Sequence, residues 1–205
     1  MRLYLTRHGE TEWNLERKTQ GGTDTPLTTT GIHQAHKLGE RLKSEGISFI
    51  YSSTLRRAWD TAKIIGEILD CPIRPVEGLR EMCLGVWEGL TFNEIQRQYP
   101  DIYESWRSTP NLCRIPKADT FDEVRSRSRQ FIEFLRNNHT DDERILLVTH
   151  ALMSKIILAD CLRMKPELIH QIRQDNTALN IIDMYDNKVV LSLLNDTCHL
   201  RGDEL

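Results

Sequence analysis

Leu3-Tyr4-Leu5-Thr6-Arg7-His8-Gly9, near the amino end, and Ile145-Leu146-Leu147-Val148-Thr149-His150, far downstream, share one pattern. Each is a short apolar run that closes on a histidine. Runs of this length read as strands, and Leu3 alternating with Leu5 reads as a strand passing from edge to core. Open α/β sheets bind ligands outside the carboxyl ends of their strands. Gly9 allows the backbone to turn sharply just after the first histidine. Two histidines at two strand ends therefore point to one site assembled from distant parts of the chain.

The elements between these runs alternate. Pro26-Leu27-Thr28 leads into a helix that starts near Thr29 or Thr30, continues to about Ser44 and stops at Gly46. Phe49-Ile50-Tyr51 reads as a second strand. Ser53 or Thr54 is placed to cap the next helix, which runs to about Leu69 with a stripe of Ala58, Ala62 and Ile65. Ile73 to Val76 reads as a third strand, and the turn-rich stretch from Gly78 to Gly89 holds Glu81. Thr120 or Asp119 opens a long helix through Phe121, Val124, Phe131 and Leu135. A further helix, Ala151 to Leu162, is entered directly from His150. Ala178 to Met184 and Val189 to Leu194 read as an antiparallel hairpin through Asp186-Asn187. The expected fold is α/β: a three-layer α/β/α sandwich around a mostly parallel, mixed sheet. Residues 1–205 form one domain in this reading. Residues 85–118 break the rhythm and read as a small helical lid inserted within it.

Composition narrows the functional classes. The chain has 205 residues, 39% apolar and 28% charged, with a formal net charge of -3. That balance argues against a general nucleic-acid surface, which needs clustered positive charge. No run approaches the ~20 apolar residues of a membrane span. The amino end lacks the pattern of a signal peptide. Cys71, Cys83, Cys113, Cys161 and Cys198 are odd in number and widely spaced, as reduced thiols in a cytoplasmic protein are. The terminal Gly202-Asp203-Glu204-Leu205 has the look of a retrieval tail, but without a secretory signal it reads, like Arg201-Gly202-Asp203, as a polar terminus. His33, His36, His139 and His170 show no metal-ligand grouping and read as surface or interfacial residues.

A phosphate suits the two strand ends. Arg7 offers a rigid pair of donors. Asn14 adds an amide from the following loop. Arg57 lies on the first turn of the helix beyond the second strand. His150 precedes the helix start at Ala151, whose first amides can hold an anion. His8 is then the nucleophile candidate, because phosphoryl transfer needs an unprotonated imidazole nitrogen. Arg7 and Arg57 disfavour its protonation. A backbone carbonyl near Gly9 is expected to fix its tautomer. Glu81 is placed to give a proton to the leaving alkoxide and later to take one from water. Glu10 is expected to stabilise its loop. No acidic cluster accompanies these residues, so neither a metal nor a cofactor is called for.

These residues resemble the histidine phosphatase superfamily, which also contains the phosphoglycerate mutases. The likeness covers Arg7-His8-Gly9-Glu10-Thr11-Glu12-Trp13-Asn14, Gln20-Gly21, Asp24, Pro26-Leu27-Thr28 and Gly31. It resumes at Tyr51-Ser52-Ser53, Arg57-Ala58 and Thr61-Ala62. It continues through Leu79-Arg80-Glu81, Leu84-Gly85 and Trp87-Glu88-Gly89 to Val148-Thr149-His150. The resemblance implies a phosphoglycerate mutase-like fold with a phosphoryl group carried on His8. It implies that Arg7, Arg57 and His150 bind that group, that Glu81 is the acid and base, and that Asn14, Gln20, Gly21 and Ala151 bind substrate. The chain departs from the family pattern at Gly22 and Ala151, and neither change removes a catalytic group.

Within the superfamily the chain looks most like the small phosphatases: broad phosphomonoesterases, α-ribazole-5'-phosphate phosphatases and metal-independent phosphoserine phosphatases. The expectation is a metal-independent hydrolase of a small-molecule phosphate ester, without nucleic-acid or membrane partners, and a possible homodimer. The alternatives are a cofactor-dependent phosphoglycerate mutase and, remotely, a phosphate-binding module without turnover. Trp87, Phe92, Tyr99, Tyr103 and Trp106 are candidates for an apolar rim over the site. Arg107, Arg114 and Lys117 are candidates for a second anion contact. His199 in the tail is a further candidate for the pocket.

Overall fold

Alternation along the strands decides the layering. Leu3 and Leu5 pack on one side with Ile145 and Leu147, while Tyr4 packs on the other with Leu146 and Val148. A sheet that buries both faces needs helices on both. The computed structural model describes residues 1–201, so the terminal motifs read above lie wholly or partly outside the described residues.

Six strands form one sheet: β1 (Arg2–Arg7), β2 (Phe49–Ser53), β3 (Ile73–Val76), β4 (Arg144–Thr149), β5 (Leu179–Met184) and β6 (Val189–Asp196). Their order is β3-β2-β4-β1-β5-β6. The first four are parallel, and β5 and β6 add an antiparallel pair. The helices are α1 (Glu12–Leu15), α2 (Thr29–Leu42), α3 (Arg56–Leu69), α4 (Phe92–Gln98), α5 (Pro100–Ser108), α6 (Phe121–Asn138) and α7 (Ala151–Cys161). Leu38 and Leu42 of α2 and Ala58, Ala62 and Ile65 of α3 cover the Tyr4 face. Val124, Phe131 and Leu135 of α6, with Met153, Ile156 and Ile157 of α7, cover the Leu3 face.

β1 differs from the edge-to-core expectation. It lies between β4 and β5, and Leu3, Tyr4, Leu5 and Thr6 are fully buried. A four-residue alternation reads as half-exposed only while the opposite face is unknown; here Tyr4 and Thr6 are covered as well. The hairpin turns where expected, with the Tyr185 amide donating to the Lys188 carbonyl, but β6 runs on to Asp196 through a bulged register.

Residues 85–118 form a short turn of helix at Gly85–Trp87, then α4 and α5. Thr91 and Glu94 make a capping box for α4, and Pro100 opens α5. Trp87 and Trp106 meet edge-on at 6.2 Å and are buried in the α6–α7 core. The segment is anchored to that core by its largest side chains.

The sheet order places the site. β1 and β4 are adjacent, yet β1 leads to α2 on one face and β4 leads to α7 on the other. Connections that diverge from neighbouring strand ends open a crevice there. The His8 amide donates to the Thr149 carbonyl at 2.9 Å, carrying the β1–β4 ladder one residue past β1. His8 and His150 therefore leave the sheet side by side.

The turn after His8 is fixed by a close backbone approach. A Cβ on Gly9 would lie 2.4 Å from the Gly31 carbonyl oxygen, and one on Gly31 would lie 2.1 Å from the Glu10 oxygen. Neither contact has a flexible side chain to move aside. Gly31→Ala should cost about 1–3 kcal/mol, the scale of overpacking. The melting temperature should fall by roughly 2–10 °C for a chain of this size. Thermal unfolding by circular dichroism checks this, and an unchanged midpoint would show that the turn is not pinned there.

Candidate active site

His8 is 3% exposed, and its Nδ1 lies 2.7 Å from the Gly9 carbonyl oxygen. A carbonyl only accepts, so Nδ1 carries the hydrogen and Nε2 is left with its lone pair. This is the tautomer expected from the sequence. Burial, reinforced by the charges of Arg57 and Arg7, holds the His8 pKa well below its ordinary value. His150 is 1% exposed and is pushed down too, again first by burial and then by Arg57. The two rings stand 5.3 Å apart. His150 Nε2 meets the Ser53 hydroxyl at 2.8 Å, and its Nδ1 has no hydrogen-bond partner among the described residues.

The arginines are held by backbone carbonyls. Arg57 is fully buried; it donates to the Thr23 and Gly21 oxygens, both at 2.8 Å, and pairs with Asp24 at 3.0 Å. Arg7 donates to the Gln174 carbonyl at 2.9 Å. Burial lowers the Arg7 pKa to about 10, which leaves it charged at neutral pH. The Nε atoms of both arginines are buried without a hydrogen-bond partner among the described residues.

Asp24 corrects the expected cap of α3. The N-cap is Leu55, and no side chain of that residue can cap. Asp24 reaches across instead and accepts from the amides of Arg56 (2.7 Å) and Arg57 (3.4 Å). Ser53 turns its hydroxyl toward His150 and the Leu55 amide. One carboxylate thus closes the helix and orients Arg57.

Glu81 lies where the sequence put it, but its surroundings differ from expectation. Arg80 pairs with Glu77. The Glu81 carboxylate accepts from the amides of Leu152 (3.0 Å) and Met153 (3.1 Å) at the start of α7, and from the Met82 amide at 3.1 Å. The first amides of α7 were expected to be open to an anion; two of them hold Glu81. The Glu81 loop is further clamped by Arg127 of α6, which donates to the carbonyls of Gly78, Arg80 and Glu81.

The loop after β1 is equally bound. The Asn14 Oδ1 accepts from the Thr11 amide, the Thr11 hydroxyl and Asn176 Nδ2. Gln20 is buried in a chain that runs from Thr25 to Gln20 to Thr11, so it supports the loop and does not form the cleft wall. Gly21 has φ +55°, and its carbonyl receives Arg57. Glu10 accepts from the Thr28 hydroxyl at 2.8 Å, stabilising its loop as expected.

A cleft of about 730 Å³ opens over Arg7, Asn14, Glu81 and Ala151. Trp87, Phe92, Tyr103 and Trp106 line it as expected, while Tyr99 packs against the core. Arg107 lines it too; Arg114 turns back to the Asn111 and Cys113 carbonyls, and Lys117 is likewise off the wall. His170 is a correction: it lines the cleft and meets the Trp106 carbonyl at 2.9 Å. His139 is a second, with a side chain only 3% exposed between Tyr51 and Glu143. His199 contacts Thr177 and does not reach the cleft.

Sequence reasoning missed Lys155, Arg173, Gln174 and Asn176. Lys155 interrupts an apolar helix one turn after Ala151, which is a readable signal. Asn176 donates to the His8 carbonyl at 3.0 Å, and nothing in its local sequence marks that. Among the described residues, no group of three or more His, Cys, Asp or Glu could hold a metal ion, and no helix is long and apolar enough to cross a membrane.

Comparison with known proteins agrees with this geometry. Residues 3–197 match the model of the histidine phosphatase superfamily (branch 1). The putative phosphoserine phosphatase 2 of Hydrogenobacter thermophilus is 32% identical over 200 residues, covering 98% of each chain. The probable phosphoglycerate mutase GpmB of Photorhabdus laumondii is 36% identical over 188 residues, 89% of this chain and 85% of the relative. A crystal structure of an Entamoeba histolytica phosphoserine phosphatase mutant with phosphoserine superimposes with a TM-score of 0.87 at 31% identity, covering 97% of this chain and 98% of that one.

The buried neutral histidines make stability depend on pH. Below the ordinary histidine pKa of ~6.5 the unfolded chain takes up protons that folded His8 and His150 refuse, so stability falls as pH falls through that window. Each contributes up to about 1.4 kcal/mol per pH unit. Urea midpoints should drop from pH 7.5 to pH 5.5, and His8→Asn should flatten the slope. An equal slope in both proteins would show that His8 is protonated in the fold.

Proposed function

Because the chain belongs to branch 1 of the histidine phosphatase superfamily, we propose that it hydrolyses small-molecule phosphate monoesters through a phosphoryl group carried on His8. One observation carries the reading. A buried imidazole with a bare Nε2 stands among two guanidiniums and a second imidazole that keep unspent nitrogens: Arg7 Nε, Arg57 Nε and His150 Nδ1. A nucleophile surrounded by fixed positive charge suits an electrophilic centre carried on an anion.

In the first step His8 Nε2 forms a bond to phosphorus as the ester P–O bond breaks. The departing alkoxide takes the proton of the Glu81 carboxyl. The charge on the equatorial oxygens is met by Arg7, Arg57, His150 and the Ala151 amide. Asn14 supports the substrate side: it lines the cleft, with its Oδ1 held by Thr11 and Asn176. In the second step Glu81 accepts a proton from water, the water oxygen bonds to phosphorus, the P–N bond breaks and inorganic phosphate leaves. The cations of the chain supply the charge stabilisation, with no metal in the scheme. The segment 85–118 acts as the lid that sets which alcohol fits. Phosphoserine phosphatases among the relatives support a small hydroxyl-bearing leaving group.

A second reading, phosphoglycerate mutase, is favoured by the number of cations lining the cleft and by the names of several relatives. With 3-phosphoglycerate, phosphate release should far outpace isomer interconversion; the reverse ratio would select the mutase.

The steps separate by mutation. His8→Ala should abolish the covalent phosphoenzyme and turnover. Glu81→Gln should slow hydrolysis of alkyl esters by roughly 10²–10⁴-fold, the scale of positioned acid catalysis, and slow aryl esters less. Turnover should persist in excess EDTA. Intact-mass analysis after rapid acid-free quenching, with phosphate-release assays, reads all three. Wild-type rates in His8→Ala, or equal losses on both ester classes in Glu81→Gln, would refute the assignment.

A further inference from the structure

Glu88 has no part in the reaction steps above, yet both oxygens of its carboxylate are engaged. Oε1 accepts from the amides of Gly22 and Leu84, at 2.8 and 2.9 Å. Oε2 accepts from the Thr23 amide at 3.1 Å and the Thr23 hydroxyl at 2.5 Å. Burial works against the charge, but the bonds from Thr23, Gly22 and Leu84 outweigh it and hold the Glu88 pKa below the ordinary carboxyl range. The loop 21–23 is seated directly on this carboxylate. A Cβ on Gly21, where φ is +55°, would stand 2.2 Å from Glu88 Oε1. Nearby, the Thr19 amide donates to the Leu90 carbonyl and the Gly89 amide to the Thr19 carbonyl, both at 2.9 Å. The base of the 85–118 segment is therefore stitched to residues 19–23.

The same loop aims Arg57. The Thr23 carbonyl accepts from Nη1 of the guanidinium and the Gly21 carbonyl from Nη2, each at 2.8 Å. A guanidinium is planar, so holding both terminal nitrogens fixes the direction of the Nε–H. That Nε is buried and has no hydrogen-bond partner among the described residues. Burial lowers the Arg57 pKa, and the charges of Glu81, Asp24 and Glu88 oppose the shift. Asp24 grips Arg57 directly, at Nη1. Glu88 reaches it through the two carbonyls. Inside the loop, only the Thr23 amide, shared with the Gln20 carbonyl at 3.0 Å, makes a backbone bond of its own. The position of those carbonyls therefore depends on the carboxylate beneath them.

We propose that Glu88 is a positioning residue for the transferring phosphoryl group: it holds the loop whose Gly21 and Thr23 carbonyls aim the Arg57 guanidinium. The proposal rests on the phosphatase reading and deepens it. Glu88 touches no reacting atom. Its bonds to the amides of Gly22 and Thr23 are charge-assisted and belong to the stronger class. Since Glu88 stands in the 85–118 segment, the segment that sets which alcohol fits also fixes a cation that meets the phosphate.

The test compares wild type with Glu88→Gln, Thr23→Val, Arg57→Lys and the Glu88→Gln, Arg57→Lys double variant. The substrates are an aryl ester, 4-nitrophenyl phosphate, and an alkyl ester, butyl phosphate. Calorimetry with orthovanadate, which matches the five-coordinate phosphoryl centre, reads the anion site without turnover. Glu88→Gln should lower kcat/KM by about 10–100-fold, the scale of a charge-assisted hydrogen bond. The factor should be the same on both esters, because Arg57 meets the phosphoryl group they share, and orthovanadate should bind more weakly by a similar factor. Thr23→Val removes one donor at an exposed position and should show the same pattern at about threefold. With Arg57→Lys already present, Glu88→Gln should cost less than about threefold more, since the two act as one unit. Wild-type kcat/KM and orthovanadate affinity in Glu88→Gln, even with a lowered melting temperature, would reduce Glu88 to a structural staple and overturn the proposal. A larger loss on the alkyl ester, or full additivity with Arg57→Lys, would overturn it too. If Glu88→Gln does not fold, Thr23→Val decides, and an unchanged kcat/KM and orthovanadate affinity there would overturn the role. Absence of turnover in wild type, with no phosphoenzyme, would sink the phosphatase reading, while the orthovanadate comparison would still judge Glu88.

Discussion

The structure depends on keeping one imidazole neutral and aimed among guanidiniums. Protonated, His8 has no lone pair to offer; with the other tautomer, its lone pair faces the wrong way. Burial and the charges of Arg57 and Arg7 settle the first condition, and the Gly9 carbonyl settles the second. The Gly9 carbonyl can reach back to its neighbour's ring only because the chain turns at once after β1. That turn requires Gly9 against Gly31 with no side chain between them. A contact between two glycines on different elements therefore governs the chemistry of the adjacent histidine.

The cost of this arrangement is spread over the surrounding loops. Two arginines are brought into a desolvated floor, where isolated charges are expensive. Arg57 is met by two carbonyls and Asp24, and Arg7 by the Gln174 carbonyl. Asp24 serves α3 and Arg57 together, which couples the helix end to the Arg57 guanidinium. Glu81 is handled by similar means: its carboxylate caps α7, and its backbone is gripped by Arg127. In the proposed reaction this fixes the proton donor to the helix that begins at His150. The acid and one phosphate ligand then move as a unit.

Much of this was legible in the chain. The apolar runs of β1 and β4, the helix stops and the closing hairpin all rest on local periodicity and turn chemistry. Arg7, His8, Arg57, Glu81 and His150 stand at strand ends or first helical turns; in the fold Arg7 and Glu81 line the cleft, while His8, Arg57 and His150 are buried. The misreadings have a shared form. Ser53 looks like a cap because caps are usually local, but Asp24 comes from another loop. Gln20 sits in a matching motif, and its side chain bonds to Thr11 and Thr25. The α7 amides look open until Glu81 is seen to hold two of them.

The sequence by itself determined the strands, the helices, the family resemblance and which residue types meet at the carboxyl ends of β1 and β4. Periodicity and turn preference act over a few residues, and a strand end is fixed as soon as its strand is. Only the tertiary structure decided that β1 is interior, since neighbours on both sides come from β4 and β5. Only it decided that Arg173, Gln174 and Asn176 join Lys155 near the site, since they arrive on a connection whose path depends on sheet order. Hydrogen-bond partners and unpaired charges are properties of juxtaposition in space, and no local pattern in the chain encodes them.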